Sequence, residues 1–374
     1  MFQDEVLRVA AQGFAVALTT ALVVMPLCMR LARAWGIVDK PGGRKTHEIV
    51  TPLMGGVGVL IAAVMGFAVV VHQSDALLDT DLRWGEIAFV ASGSLVLFAV
   101  GFIDDVFKDS MTFQPKLIGQ VIGVGVLMWP HLSLLLEQGG SWDQWLYQLF
   151  FLGWFLTIVN SFNFSDNMNG LMSGLSVIAF SAAILYLQTT ASVRSMMVAV
   201  ILVGALLGFL PFNFPRSRIF LGDAGSMFIG FWMARIQFDL IAGFMDVGLG
   251  DFGAHHLIPA VLIMGVPLFD AAYVVLMRFV EKRPVYLGDN HHLSHRLVRG
   301  GFTAAEAVLI LWGLGLILAW IGILATQATE PYRYGLFAAS FVFMIAVTHK
   351  IMSIEKTHHG HPSEVESAPR EGGS

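Results

Sequence analysis

Apolar residues in this chain gather into long, unbroken runs. Eleven of them are long enough to weigh as membrane spans: about 10–31, 53–71, 86–103, 117–136, 145–161, 170–189, 195–212, 221–240, 257–278, 304–325 and 333–351. A bilayer core needs roughly 20 apolar residues per helix. No run alternates with a strict period of two, which argues against a transmembrane β-barrel. Helices satisfy their own backbone polar groups in lipid. The pattern therefore predicts an all-α fold, a polytopic membrane helix bundle of about eleven spans forming one domain over 1–352. The polar stretch 353–374, with its Gly, Pro, Ser and His, predicts a disordered tail. Its His358, His359 and His361 read as solvated, with metal binding the lesser alternative.

Composition agrees with this pattern. Hydrophobic residues make up 56% of the 374, charged residues only 13%, and mean hydropathy is +0.71. A soluble domain carries about 25% charged residues. The single cysteine, Cys28, excludes an internal disulfide. The first run is long and is preceded by Asp4 and Glu5, so it reads as a retained span and not as a cleaved signal.

Charge sets an orientation that the net value of −5 hides. With eleven spans, alternate loops face opposite sides, and one set of loops and ends holds 17 of the 22 Lys and Arg. By the positive-inside rule that set is cytoplasmic. The N-terminus is then outside and the C-terminus inside.

All the chemistry-bearing clusters fall on that cytoplasmic side. They are Asp39–Glu48 followed by Thr51–Gly58, Gly101–Asp109 with Lys116 beyond it, Asn160–Leu171, Phe214–Ser226 and Gly288–Arg296. A transporter distributes polar groups near the midplane and to both vestibules, so a one-sided set favours an enzyme at the membrane surface. Asp104 and Asp105 end an apolar run, as a solvated helix end or as hard oxygen ligands that favour Mg²⁺. Asp109 is open between a third carboxylate ligand and a solvated role. Asn160, Asn163, Asp166 and Asn169 recur every three residues. On a helix they form one polar stripe, suited to a sugar or nucleobase or to an inter-helix polar zipper. Gly222-Asp-Ala-Gly-Ser226 opens a run, so Asp223 is either a metal carboxylate beside a phosphate-binding helix start or a plain N-cap. Arg216 and Arg218 either clamp phosphate or follow the positive-inside rule. His291, His292, His295 and Arg296 fit a diphosphate better than zinc, since no cysteine or His-Glu-x-x-His accompanies them. Asp270, inside a span, is a functional carboxylate or a structural pairing group. No Gly-x₄-Gly-Lys-Ser/Thr occurs, which excludes a P-loop enzyme.

Taken together, these segments resemble the polyprenyl-phosphate N-acetylhexosamine-1-phosphate transferases, in motif order and over about 35–303. The match is closest to the branch that starts O-antigen, common-antigen or wall-polymer glycans. Arg44-Lys-Thr-His47 resembles that branch's first inner loop, and Phe102-Ile-Asp-Asp105 with Lys116 its aspartate pair and lysine. Asn160–Leu171 resembles its Asn-rich motif, Gly222–Ser226 its second metal-binding aspartate segment, and Gly288–Arg296 its histidine-rich loop. Three places depart from the family. Lys108 stands where Asp-Asp-x-x-Asp would end, Asn169 where Asp-Gly-x-Asp-Gly has its second acid, and no contiguous His triplet is present.

The resemblance implies transfer of N-acetylhexosamine 1-phosphate from a UDP-sugar, GlcNAc being the commonest, to undecaprenyl phosphate with release of UMP. It implies Mg²⁺, with Mn²⁺ the alternative, held by Asp105 and Asp223, while Asp104 orients or deprotonates the lipid phosphate. Substrate contacts are expected from Lys45, His47, Lys116, Asn160, Asn163, Asp166, Asn169, Arg216, Arg218, His291, His292, His295 and Arg296. The expected partners are the UDP-N-acetylhexosamine, undecaprenyl phosphate, the bilayer of the bacterial inner membrane and a second copy in a homodimer, with no nucleic acid. The rival readings are a secondary transporter of a nucleotide or lipid-linked sugar and, within the family, a phospho-N-acetylmuramoyl-pentapeptide transferase.

Overall fold

The computed structural model describes residues 2–40, 50–73, 84–107, 112–190, 193–242, 254–283 and 291–359. They form thirteen α-helices and one two-stranded pairing. The helices are α1 (Phe2–Trp35), α2 (Gly55–Gln73), α3 (Trp84–Val106), α4 (Phe113–Gln138), α5 (Trp142–Ser165), α6 (Leu171–Thr190) and α7 (Val193–Asn213). Then come α8 (Gly222–Ala242), α9 (Ala254–Ile263), α10 (Gly265–Val280), α11 (Leu293–Arg299), α12 (Ala304–Gln327) and α13 (Glu330–His359). Strands β1 (Val38–Asp39) and β2 (Thr51–Pro52) pair antiparallel.

Every apolar run of the sequence coincides with a helix, and this is a multi-pass helical membrane protein. Eight helices are long and apolar enough to cross a bilayer, among the described residues: α1, α2, α3, α4, α5, α7, α12 and α13. The run 257–278 is not one straight helix. It breaks between α9 and α10 with a bend of 86°. Helix α6 has an apolar stretch too short to count, Leu171–Leu187, and α8 carries Asp223, Arg235 and Asp239 along its length. Helix α13 runs to His359, past the expected boundary at 352, so the first part of the expected tail is helical.

Helix α8 is the centre of the bundle, packed against α3, α5, α2 and α6. Small residues let it sit there. At Gly56 and Gly101 an added Cβ would overlap the backbone around Gly225 and Asp223, so α2 and α3 touch the start of α8 backbone to backbone. The N–H groups of Gly55 and Gly56 donate to the carbonyls of Phe220 and Leu221, at 3.0 and 2.8 Å. Lower down, Phe151 and Phe155 of α5 meet Phe238 and Phe231 of α8 edge to face, at 4.2 and 5.6 Å. These contacts bring the starts of α2, α4 and α8 and the ends of α3 and α5 to one end of the bundle.

Candidate active site

The last turn of α3 carries two adjacent carboxylates. Consecutive residues on a helix point about 100° apart, and the two side chains do different jobs. Asp105 is buried and faces the start of α8. Its Oδ1 accepts from the Asp223 N–H at 2.9 Å and its Oδ2 from the Ala224 N–H at 3.0 Å. The first N–H groups of a helix have no partner within it, and its N-terminus favours negative charge. Asp105 is thus the cap of α8, supplied from another helix. Gly222 makes the approach feasible: its φ is +76°, and an added Cβ would lie 2.5 Å from Asp105 Oδ2.

Asp104, one residue earlier, turns the other way. Its Oδ2 accepts from Lys116 Nζ at 3.2 Å, and the same ammonium donates to Asp223 Oδ2. Asn163, near the end of α5, donates from Nδ2 to Asp223 Oδ1 at 2.8 Å and to Ser226 Oγ at 2.9 Å. Four helices therefore contribute one polar group each to a single cluster: Asp104 of α3, Lys116 of α4, Asn163 of α5 and Asp223 of α8. The Lys116, Asp104 and Asp223 side chains keep 18%, 21% and 29% of their surface exposed, so the cluster is recessed but reachable.

The expected metal pair is Asp105 with Asp223. Asp105 accepts a backbone amide with each oxygen, while Asp104 and Asp223 are the carboxylates that share Lys116. Mg²⁺ typically takes one or two carboxylates together with substrate phosphates and water. Each ionised carboxylate has about four lone-pair sites, so both retain acceptor capacity beside Lys116 and Asn163. The residues fit a divalent ion that completes its shell from a bound diphosphate. Among the described residues, no three His, Cys, Asp or Glu side chains form a ready-made metal site.

The expected amide stripe divides. Asn160 faces Gln120 of α4: its Nδ2 donates to Gln120 Oε1 at 2.8 Å, and Gln120 Nε2 donates back to Asn160 Oδ1 at 3.3 Å. At Asn160 the stripe makes a polar zipper between helices. Helix α5 stops at Ser165, and Asp166 and Asn169 lie in the turn that follows, half-buried. Asn213, which sequence reading overlooked, holds this turn. Its Oδ1 accepts from the Gly170 N–H at 2.7 Å, while its Nδ2 donates to the Ile219 carbonyl at 2.9 Å.

The described part of the histidine segment begins at His291 and leads into α11, which docks beside the same turn through Ser294 Oγ, donating to Asn167 Oδ1 at 2.7 Å. Its side chains are more committed than the sequence suggests. Asp270 of α10 contacts His292 Nδ1 through Oδ2 at 2.7 Å and accepts the Leu293 N–H through Oδ1 at 2.8 Å. The intramembrane aspartate is therefore the cap of α11. Arg296 is 8% exposed and Arg299 follows it. They donate to Glu355 Oε2 and Oε1 of α13 at 2.8 and 2.6 Å. Arg296 also lies 5.5 Å over the Tyr273 ring. It anchors α11 to α13. His291 Nδ1 lies 3.7 Å from Glu281, and the His295 ring lies 6.2 Å from that of His292. Arg216 and Arg218 are exposed, just before α8. Lys45, His47, Lys108 and Asp109 lie outside the described residues.

Bundle and site together define a multi-pass membrane protein with a one-ended acid–lysine–amide centre. The model of glycosyl transferase family 4 matches residues 87–241, from α3 to the end of α8. The chain is 28% identical to the probable undecaprenyl-phosphate N-acetylglucosaminyl 1-phosphate transferase of Bacillus subtilis, over 88% of each chain. It is 27% identical to the undecaprenyl-phosphate alpha-N-acetylglucosaminyl 1-phosphate transferase of Escherichia coli K12, over 91% of this chain and 88% of that one. Its identity to the decaprenyl-phosphate N-acetylglucosaminephosphotransferase of Mycobacterium tuberculosis H37Rv is 30%, over 86% of this chain and 82% of that one. The chain belongs to glycosyl transferase family 4.

Proposed function

We propose that this protein transfers N-acetylglucosamine 1-phosphate from UDP-N-acetylglucosamine to undecaprenyl phosphate, on the cytoplasmic face of the bacterial inner membrane, as the first membrane step of a cell-envelope glycan. An oxygen of the lipid phosphate attacks the β-phosphorus of the nucleotide sugar. The bond from that phosphorus to the bridging oxygen breaks, and UMP leaves with the electron pair. The observation that carries the reading is the cluster of Asp104, Lys116, Asn163 and Asp223 at one end of the bundle.

Both reactants are anionic, so the site must let negative groups meet. Asp104 and Asp223 would hold Mg²⁺ or Mn²⁺, which supplies charge neutralisation across the diphosphate when bound. Lys116 donates to both carboxylates and is placed to donate to a phosphate oxygen of the substrate as well. Asn163 fixes Asp223 and Asp105 fixes the start of α8, so the carboxylates are pre-oriented and need not reorganise as charge develops. At neutral pH the lipid phosphate is already largely ionised, and a strong general base is unnecessary. The nucleotide sugar would lie against the turn 166–170, where Asp166 and Asn169 stand, with His291, His292 and His295 at its border.

The test is an assay of membranes with labelled UDP-N-acetylglucosamine and undecaprenyl phosphate, scoring UMP and lipid-linked product. Asp104→Asn and Asp223→Asn should each lose about 10²–10³-fold in turnover, the range for removing one electrostatic group from a pre-organised site. A transporter would instead take substrate into sealed vesicles without releasing UMP.

A further inference from the structure

At the end of α8 away from the acid–lysine cluster lies a second polar group. Asp239 accepts from Ser195 Oγ and pairs with Arg235 one helical turn earlier. Asp223 and Asp239 are sixteen residues apart on α8, which is roughly 24 Å along the helix axis. Beside this group, between α2, α3, α7 and α8, runs a groove of about 280 Å³. Its walls are apolar, with Leu60, Phe67, Val90, Ile201 and Phe228 among them. Only its polar end carries charge: Arg194, Arg235 and Asp239. The groove opens sideways, since Val64 and Leu95 line it and are 55% and 48% exposed.

We propose that this groove binds one anionic phospholipid, an acyl chain lying along α8 and the phosphate against Arg194 and Arg235. Three features choose that occupant over others. Three of its four walls, α2, α3 and α7, are helices apolar enough to cross a bilayer, and its lateral openings lie at exposed apolar residues, so a chain enters without leaving the membrane. Its walls offer hydrocarbon no polar competitor along most of their length, and an apolar cavity of this kind stays dry and accepts apolar guests. At the polar end, Arg235 pairs with Asp239 and Arg194 lines the groove beside them, so the lining carries one net positive charge for one phosphate. Charged groups at membrane depth are costly and mark binding sites. Arginine suits a phosphate because its planar fork donates two parallel hydrogen bonds. The site is separate from the proposed catalytic centre and does not depend on its chemistry.

The full-length protein, purified in mild detergent, is exchanged with phosphatidylglycerol or with phosphatidylcholine of the same chains, and retained lipid is counted by native mass spectrometry. Wild type is expected to retain several-fold more phosphatidylglycerol. Arg194→Gln should erase that preference, and Leu95→Trp, which fills the groove, should lower retention of both lipids. Both variants should keep the transferase rate measured with saturating acceptor. Equal retention of the two lipids by wild type, or unchanged retention in both variants, would overturn the proposal. So would displacement of phosphatidylglycerol by undecaprenyl phosphate, which would make the groove part of an acceptor site.

Discussion

Asp104 and Asp105 are neighbours with the same chemistry, and the fold separates their roles. Removing one partner from a buried hydrogen bond to a charged group costs about 1–3 kcal/mol or more. Asp105→Asn would turn an amide donor toward backbone N–H groups that Asp105 now accepts. It should lower the thermal midpoint in detergent, whereas Asp104→Asn should leave the midpoint near wild type and remove turnover. Equal melting of the two variants would contradict the division. The same residues show what sequence reading could reach. That Asp104, Asp105, Lys116 and Asp223 belong together was legible, because each sits at a run's polar end on the same predicted side. Which aspartate caps and which faces the cluster was not. That depends on the rotation of α3 against α8, set by Gly101 and Gly222, and adjacent positions differ by about 100° around a helix. Asn160 shows the same limit: a period of three does not say which face meets another helix and which meets substrate.

Elements carry the next scale. Helix α11 has seven residues, too short to be stable alone, and is held from outside by Asp270 at its start and Glu355 near its end. Hydrogen bonds to charged groups are worth about 1.5–3 kcal/mol. Glu355→Gln should loosen α11 and raise KM for the nucleotide sugar more than it lowers kcat, with partial recovery in Glu355→Asp. Steady-state kinetics of the three proteins checks this, and an unchanged KM in Glu355→Gln would count against the clamp. The role of α11 as a helix braced from two sides was hidden in the sequence, since Glu355 falls in a stretch whose composition reads as a disordered tail. The break between α9 and α10 was also hidden, because its apolar run is continuous while the bend is set by packing. Gly222→Ala should abolish activity together with correct folding, because it places a methyl against the carboxylate of Asp105 at a φ that L-residues rarely adopt.

The whole molecule was the most legible scale. Apolar runs leave little choice of fold: the described residues of the runs are nearly all helical, and eight of those helices are long and apolar enough to cross a bilayer. Orientation is the remaining claim at this scale and rests on the distribution of Lys and Arg. Cys28 is buried, so single-cysteine reporters can be read against a quiet background. Arg216→Cys should react with an impermeant maleimide only in inside-out vesicles, and Thr329→Cys, in the turn before α13, only from the cell exterior. The reverse pattern would move the proposed chemistry to the wrong side for a nucleotide sugar. The most direct measurement of the central claim is UMP release by purified enzyme given UDP-N-acetylglucosamine and undecaprenyl phosphate, with and without divalent metal, for wild type and Asp223→Asn. The expected result is release coupled one to one with lipid product, abolished by chelation and by the substitution. Undiminished release by Asp223→Asn, or by metal-stripped enzyme, would contradict the account.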